Sequence, residues 1–93
     1  LEDRWINLAT VPEARTADFT AQSGNEWLVR HARFTRGELG LAATSLPAED
    51  AALLDAATGE SVLRAVRMTW DGAASVTHVT LTYAPGHMLT TAF

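Results

Sequence analysis

The clearest pattern along the chain is the alternation of residues 75–83, SVTHVTLTY. Successive side chains of a strand point to opposite faces, so the odd positions from Ser75 to Tyr83 share one face. The even positions share the other face, which is mostly polar and can meet water. The odd face has apolar residues bracketed by hydroxyl groups, which suits the lining of a pocket, although half-buried edge strands show the same pattern.

Further strands are predicted where β-branched, aromatic or alternating residues lie between turn residues, at 1–9, 32–46, 60–70 and 87–93. The two glycines of segment 32–46 predict a bent or bulged strand. The sequence DGAA before residue 75 contains glycine between two strand patterns, which predicts a hairpin connection. The last three strands then run as a meander.

Two helices are predicted between these strands, over 23–31 and 47–59. Ser23 and Glu26 have the spacing of a capping box, and Pro12 begins a turn or short helix upstream of them. In 47–59 a proline and two acids open the helix, Leu53 and Leu54 face inward, and a glycine ends it. The order of elements predicts an α+β domain in which helices pack on an antiparallel sheet.

Length and charge limit the functions that the chain can perform. Its 93 residues make one domain with a modest core, which association with another copy would help to stabilise. The net charge of −4 provides no basic surface for nucleic acid. There is no cysteine, and no apolar run is long enough to cross a membrane. The chain starts without methionine inside a strand pattern, so we interpret it as a fragment of a longer protein.

Candidate catalytic and metal-binding groups are sparse. His31, His78 and His87 have no partner at the short spacings typical of metal sites. No G-x-S-x-G motif is present, and the serines lie in caps or strands. The sequence therefore predicts no catalytic residue, no metal and no cofactor.

Two features favour an anionic ligand, each with a structural alternative. Arg67 shares a strand face with apolar residues, where it either pairs with an acid across the sheet or anchors an anion. The stretch Ser23-Gly24-Asn25 begins a helix, and the free N–H groups there form a natural anion site. Glu26 would compete for one of these donors if the capping box forms.

A set of short motifs spans nearly all of the chain in a fixed order: LEDRWIN, VPE, DF, NEWL, LLDAATGE, RMTW, VTHVTLTYAPG and a terminal F. Together they resemble the ligand-binding UTRA domain of GntR-type transcription repressors, within the histidine-utilization repressor (HutC) group. The resemblance implies a chorismate-lyase-like fold that is incomplete here, a cytoplasmic homodimer and no catalysis. It also implies a small anionic effector, with urocanate the first candidate, and DNA binding only through an N-terminal winged helix-turn-helix absent from residues 1–93.

The resemblance also implies which residues contact the effector. These residues are Glu2, the stretch Ser23-Gly24-Asn25, Thr77 and Tyr83, and Thr77 and Tyr83 lie on the odd face described above. The chain differs from many members of the HutC group at two positions: Leu39 replaces a histidine and His87 replaces an arginine.

Two other functions are alternatives to this interpretation of the chain as an effector-binding domain. A lyase of the same fold could act on an aromatic carboxylate, which would require a pocket closed against water and a well-placed acid or base. A domain with a vestigial pocket could serve only to dimerise.

Overall fold

The computed structural model describes residues 1–93. Its elements are β1 Glu2–Ile6, a 3₁₀ helix Pro12–Thr16, α1 Gly24–His31, β2 Arg36–Ser45, α2 Ala48–Leu54, β3 Ser61–Asp71 and β4 Ala74–Thr82. Each element overlaps a segment predicted from the sequence, although β3 and β4 each extend one residue into the predicted hairpin connection, and the α+β class is confirmed. None of the helices is long and apolar enough to cross a lipid bilayer.

The four strands form one antiparallel sheet in the order β1-β4-β3-β2. The predicted hairpin joins β3 to β4 through Gly72, whose φ of 59° favours a residue without a Cβ. Cross-strand partners share a face of the sheet. The register places one row of four residues across all the strands: Arg4, Val79, Arg67 and Leu39. The next row on the same face is Ile6, Thr77, Thr69 and Gly37.

A β-bulge interrupts the alternation of β4 at Val76. Thr77 pairs with Thr69 and Ser75 pairs with Trp70, so Val76 is the extra residue between the two pairs. Val76 is 1% exposed and packs in the cluster formed with α1, although the alternation predicts an even, water-facing position for it. The odd positions that follow the bulge, from Thr77 onward, still share one face, as predicted.

The predicted bulge in segment 32–46 is wrong. Strand β2 pairs with β3 over its full length without a shift of register. Gly37 and Gly40 lie in the ladder opposite Thr69 and Val66, where a missing side chain does not disturb the backbone hydrogen bonds.

The two helices pack on opposite faces of the sheet. Helix α1 contributes to the larger apolar cluster, which consists of Val11, Ala14, Trp27, Leu28 and Val76. Helix α2 contributes to a smaller cluster of Leu46, Ala51 and Val62. In β3, Val62 points away from the face that holds Arg67 and Thr69, because alternate residues face opposite sides.

Helix α2 is shorter than predicted and turns a different side inward. It ends at Leu54, because Asp55 takes a left-handed φ of 52° and the Ala56 N–H donates to the Ala51 carbonyl (2.9 Å). Ala51 is buried and Leu54 is half-buried, whereas Leu53 is 72% exposed. Residues three apart share a helix face, so Leu54 packs with Ala51 and Leu53 points to solvent.

The predicted strand over 87–93 does not form, and the chain from Ala84 onward has no regular structure. A turn with Gly86 at a φ of 81° follows β4, as the Pro85-Gly86 pair predicts. A tight turn there would return the chain beside β4, but β1 and β3 already occupy both of its edges. The meander therefore ends at β4.

A short turn precedes α1. The Asp18 carboxylate accepts hydrogen bonds from the hydroxyl and the backbone N–H of Thr20, and these bonds hold the pKa of Asp18 below its ordinary value. Phe19 meets Trp27 of α1 edge-on, with the ring centroids 5.7 Å apart. The turn thus leads the chain into the helix that covers the sheet.

Candidate functional site

A cavity of about 400 Å³ lies between α1 and the face of the sheet that carries Arg67. Leu28 and Val29 of α1, with Phe34 after it, form an apolar wall, and Asn25 adds one amide at the start of the helix. A mainly apolar cavity of this size with a few polar groups is typical of small-molecule sites.

Two threonine hydroxyls form part of the sheet side of the cavity. Thr69 and Thr77 are cross-strand partners, and their Oγ1 atoms lie 2.9 Å apart in a hydrogen bond. One hydroxyl must donate to the other, so the pair retains one O–H that can donate to a third group. The pair lies on the face predicted for a pocket.

Arg67 lines the cavity and has no acidic partner. Its Nη2 donates to the Asn25 Oδ1 (3.1 Å), which ties β3 to the start of α1. The ion pairs of the protein join Arg4 to Glu2, Arg36 to Glu38 and Arg64 to Asp50. The predicted alternative in which Arg67 pairs with an acid is therefore wrong. Arg67 is also exposed, because α1 leaves the cavity open above it.

The start of α1 presents free donors. Ser23 caps the helix, and its Oγ accepts the Glu26 N–H (3.1 Å). The Glu26 carboxylate makes no return hydrogen bond to Ser23, so only half of the capping box forms. The N–H groups of Gly24 and Asn25 have no acceptor within the protein. Together with the helix dipole, they make this end of α1 electropositive.

Arg4 is a cavity residue that the sequence reasoning missed. Its side chain is only 10% exposed, and its Nη2 donates to Glu2 Oε1 at 2.8 Å. The alternation of strand residues could have predicted its position, because Arg4 lies two residues after Glu2 and must share the face of Glu2. The Glu2 side chain is 43% exposed and does not line the cavity itself.

The structure brings only some of the predicted site residues together. Asn25, Arg67 and Thr77 line the cavity, and Ser23 and Gly24 lie beside it at the start of α1. Tyr83 lies beyond the end of β4 and outside the cavity, with its ring stacked on His87 at 4.3 Å. Its contact with the effector stays a prediction.

The two positions that the resemblance predicts to differ from many members of the HutC group lie in different places. Leu39 lines the cavity from the edge strand β2, so this difference alters the wall of the site. His87 lies on the Tyr83 ring, away from the cavity. The other two histidines are also separate: His31 stacks on Trp27, and His78 is exposed on β4.

The comparison with known families agrees with this architecture. The model of the UTRA domain matches residues 1–90. The chain belongs to the UTRA domain family. The sequence prediction of the family is therefore confirmed.

The relatives of this UTRA domain are bacterial repressors. It is 36% identical over 86 residues to the histidine utilization repressor of Pseudomonas putida and 35% identical over 86 residues to that of Pseudomonas aeruginosa. Each alignment covers 92% of this chain and 34% of the relative, so the chain spans about a third of the length of these relatives.

The C-terminal domain of the histidine utilization repressor from Pseudomonas syringae pv. tomato has the same fold. The TM-score is 0.87 at 35% sequence identity, and the alignment covers 99% of this UTRA domain and 66% of that chain.

Proposed function

We propose that this UTRA domain is the effector-binding unit of a GntR-type transcriptional regulator and that its effector is a small carboxylate, with urocanate the first candidate. One observation carries the proposal: Arg67, without an acidic partner, faces a cavity beside the unpaired N–H groups of α1. A carboxylate supplies the missing charge and acceptors for both groups.

The proposed pose follows from the positions of these donors. The acid group of the effector accepts from the N–H groups of Gly24 and Asn25, and its ring packs on the apolar wall that includes Leu28 and Val29. The free O–H of the Thr69–Thr77 pair donates from the sheet. The names of the relatives support urocanate, because histidine utilization repressors control the breakdown of histidine, in which urocanate is an intermediate.

In this proposal, DNA binding belongs to another part of the gene product. We propose that residues 1–93 bind the effector and dimerise, while an N-terminal winged helix-turn-helix outside this chain binds the operator. The net charge of −4 is consistent with this division, because nucleic acid is bound by basic surfaces.

A lyase activity receives less support from the cavity. A lyase would need an acid or base shielded from water. Glu38 is the carboxylate that lines the cavity, and its side chain is 58% exposed and pairs with Arg36 at 3.4 Å. We therefore favour a sensor without turnover.

We also propose that the protein forms a homodimer through β2. This strand has ten residues, lies at the outer edge of the sheet and exposes Leu39 and Leu41 by 63% and 57%. An exposed edge strand can pair with its copy about a two-fold axis, and this pairing would cover both leucines.

Calorimetry with a matched pair of ligands tests the sensor proposal. Urocanate and its methyl ester have nearly the same shape, but only urocanate carries the negative charge. We expect urocanate to bind at least about tenfold more tightly than the ester, because hydrogen bonds to a charged group are stronger than neutral ones. Histidine, which adds an ammonium group, should also bind more weakly.

Three results would contradict the proposal. Equal affinity for urocanate and its ester would show that the cavity has no anion site. If neither ligand binds, urocanate is not the effector. Conversion of urocanate to a product during the titration would favour the lyase.

A further inference from the structure

Arg4 is a buried cation with an unsatisfied donor. Its side chain is nine-tenths buried, and its Nη2 donates to Glu2 Oε1 at 2.8 Å. The Arg4 Nε–H is buried and has no hydrogen-bond partner. A buried donor without an acceptor costs free energy, so its presence beside a cavity indicates an acceptor that comes from elsewhere.

The unsatisfied Nε lies against the start of α1. A Cβ placed on Gly24 would be 2.8 Å from the Arg4 Nε and 2.9 Å from its Cδ. The guanidinium therefore lies directly against the Gly24 backbone, next to the N–H groups that have no acceptor. Only glycine allows this close approach. The backbone does not itself require glycine there, because the φ of Gly24 is not in the left-handed region.

This arrangement places two positive groups together. The guanidinium of Arg4 and the positive end of the α1 dipole are in contact; Glu2 pairs with Arg4, whereas Glu26 in the first turn of α1 forms no ion pair with it. One carboxylate oxygen at this point can accept from the Arg4 Nε–H and the other from a first-turn N–H of α1. The same carboxylate would relieve the repulsion between the two positive groups.

We propose that Arg4 is the main anchor for the acid group of the effector and that Glu2 is a positioning residue that holds the Arg4 guanidinium in place. This inference rests on the proposed function, since it names the residue that recognises the carboxylate in the same cavity. Arg67 lies one strand beyond Val79 in the same row and adds positive charge to the cavity, while Arg4 makes the direct contact with the acid group.

Calorimetric titration of the protein with urocanate tests this role through two substitutions. Arg4→Lys keeps the charge but removes the Nε–H, and Arg4→Gln removes the charge as well. We expect affinity to fall roughly tenfold for Arg4→Lys and on the order of a hundredfold for Arg4→Gln. Arg15→Gln is the matched control, because Arg15 is exposed on the 3₁₀ helix and does not line the cavity.

Gly24→Ala provides a second route that leaves Arg4 intact. The new Cβ must displace the guanidinium, so affinity for urocanate should fall about tenfold while alanine remains compatible with the helix. Circular dichroism melts of all variants show which of them are folded. If Arg4→Gln does not fold, Arg4→Lys and Gly24→Ala decide the question.

The outcomes separate this inference from the proposed function. Folded Arg4→Lys and Gly24→Ala variants that bind urocanate as tightly as the parent would overturn the role of Arg4 and leave the sensor proposal standing. A parent protein that binds no urocanate would overturn both. A loss in the Arg4 and Gly24 variants with unchanged binding by Arg15→Gln would support the assignment.

Discussion

At the residue scale, the least predictable feature of the site is which charged side chains face the cavity. The sequence pointed to Arg67 on an apolar strand face, and the structure leaves its side chain exposed with an amide partner, Asn25. Arg4 was missed although its strand period places it beside Glu2. Both outcomes depend on where α1 crosses the sheet, and no local pattern specifies that position.

The hydroxyl of Thr77 provides a residue-scale test with a close control. Thr77→Val removes the hydroxyl from the cavity side of β4 at nearly constant volume, and with it the hydrogen bond that orients the donor of the Thr69–Thr77 pair towards the carboxylate. We expect affinity for urocanate to fall roughly tenfold, the lower end of the loss for a hydrogen bond to a charged group.

Thr80→Val is the matched control for this change. Thr80 is half-buried on the same strand, but it faces the other side of the sheet and does not line the cavity. Its substitution should leave the affinity unchanged in the same calorimetric titration. Equal losses for the two variants would show that the effect of Thr77→Val comes from the strand and not from the site.

At the element scale, strands and helices were predictable wherever a local signal was strong. The capping serine of α1, the Pro12 turn and the Gly72 hairpin all lie where the sequence indicates. The errors have tertiary causes. The predicted last strand does not form, because neither edge of β4 is free. Leu53 faces water, because Ala51 is the residue of α2 that packs in the apolar cluster.

The edge strand β2 yields the prediction at this scale. Leu41→Lys places a charge on the proposed dimer edge, where pairing would bury it, and should convert the protein to a monomer. Leu41 does not line the cavity, so effector binding by a monomer should not be altered directly. Sedimentation velocity over a range of concentrations measures the change.

Leu53→Lys serves as the control for the dimer. Leu53 is 72% exposed on α2, and the substitution adds the same charge away from the β2 edge. This variant should remain a dimer. A parent protein that is monomeric at all concentrations would contradict the proposed β2 dimer.

At the scale of the whole molecule, the order of many weak motifs was more informative than any single one. No single motif of the chain specifies a function. The order of the motifs along the 93 residues identified the UTRA family, which the match over residues 1–90 confirms. The identity of the effector was not accessible in the same way. It depends on how side chains from α1, β1, β3 and β4 meet in one cavity, and these elements are separated along the chain.

The central claim is that a small carboxylate binds between α1 and the sheet. The most direct test is a titration of ¹⁵N-labelled protein with urocanate, followed by backbone amide chemical shifts. The account predicts that the largest changes cluster at Gly24, Asn25, Val29 and Arg67, at the cavity and the start of α1, with Glu49 and Leu53 of α2 on the opposite face little affected. Changes centred on Trp5 and His78, or no changes at saturating urocanate, would contradict it.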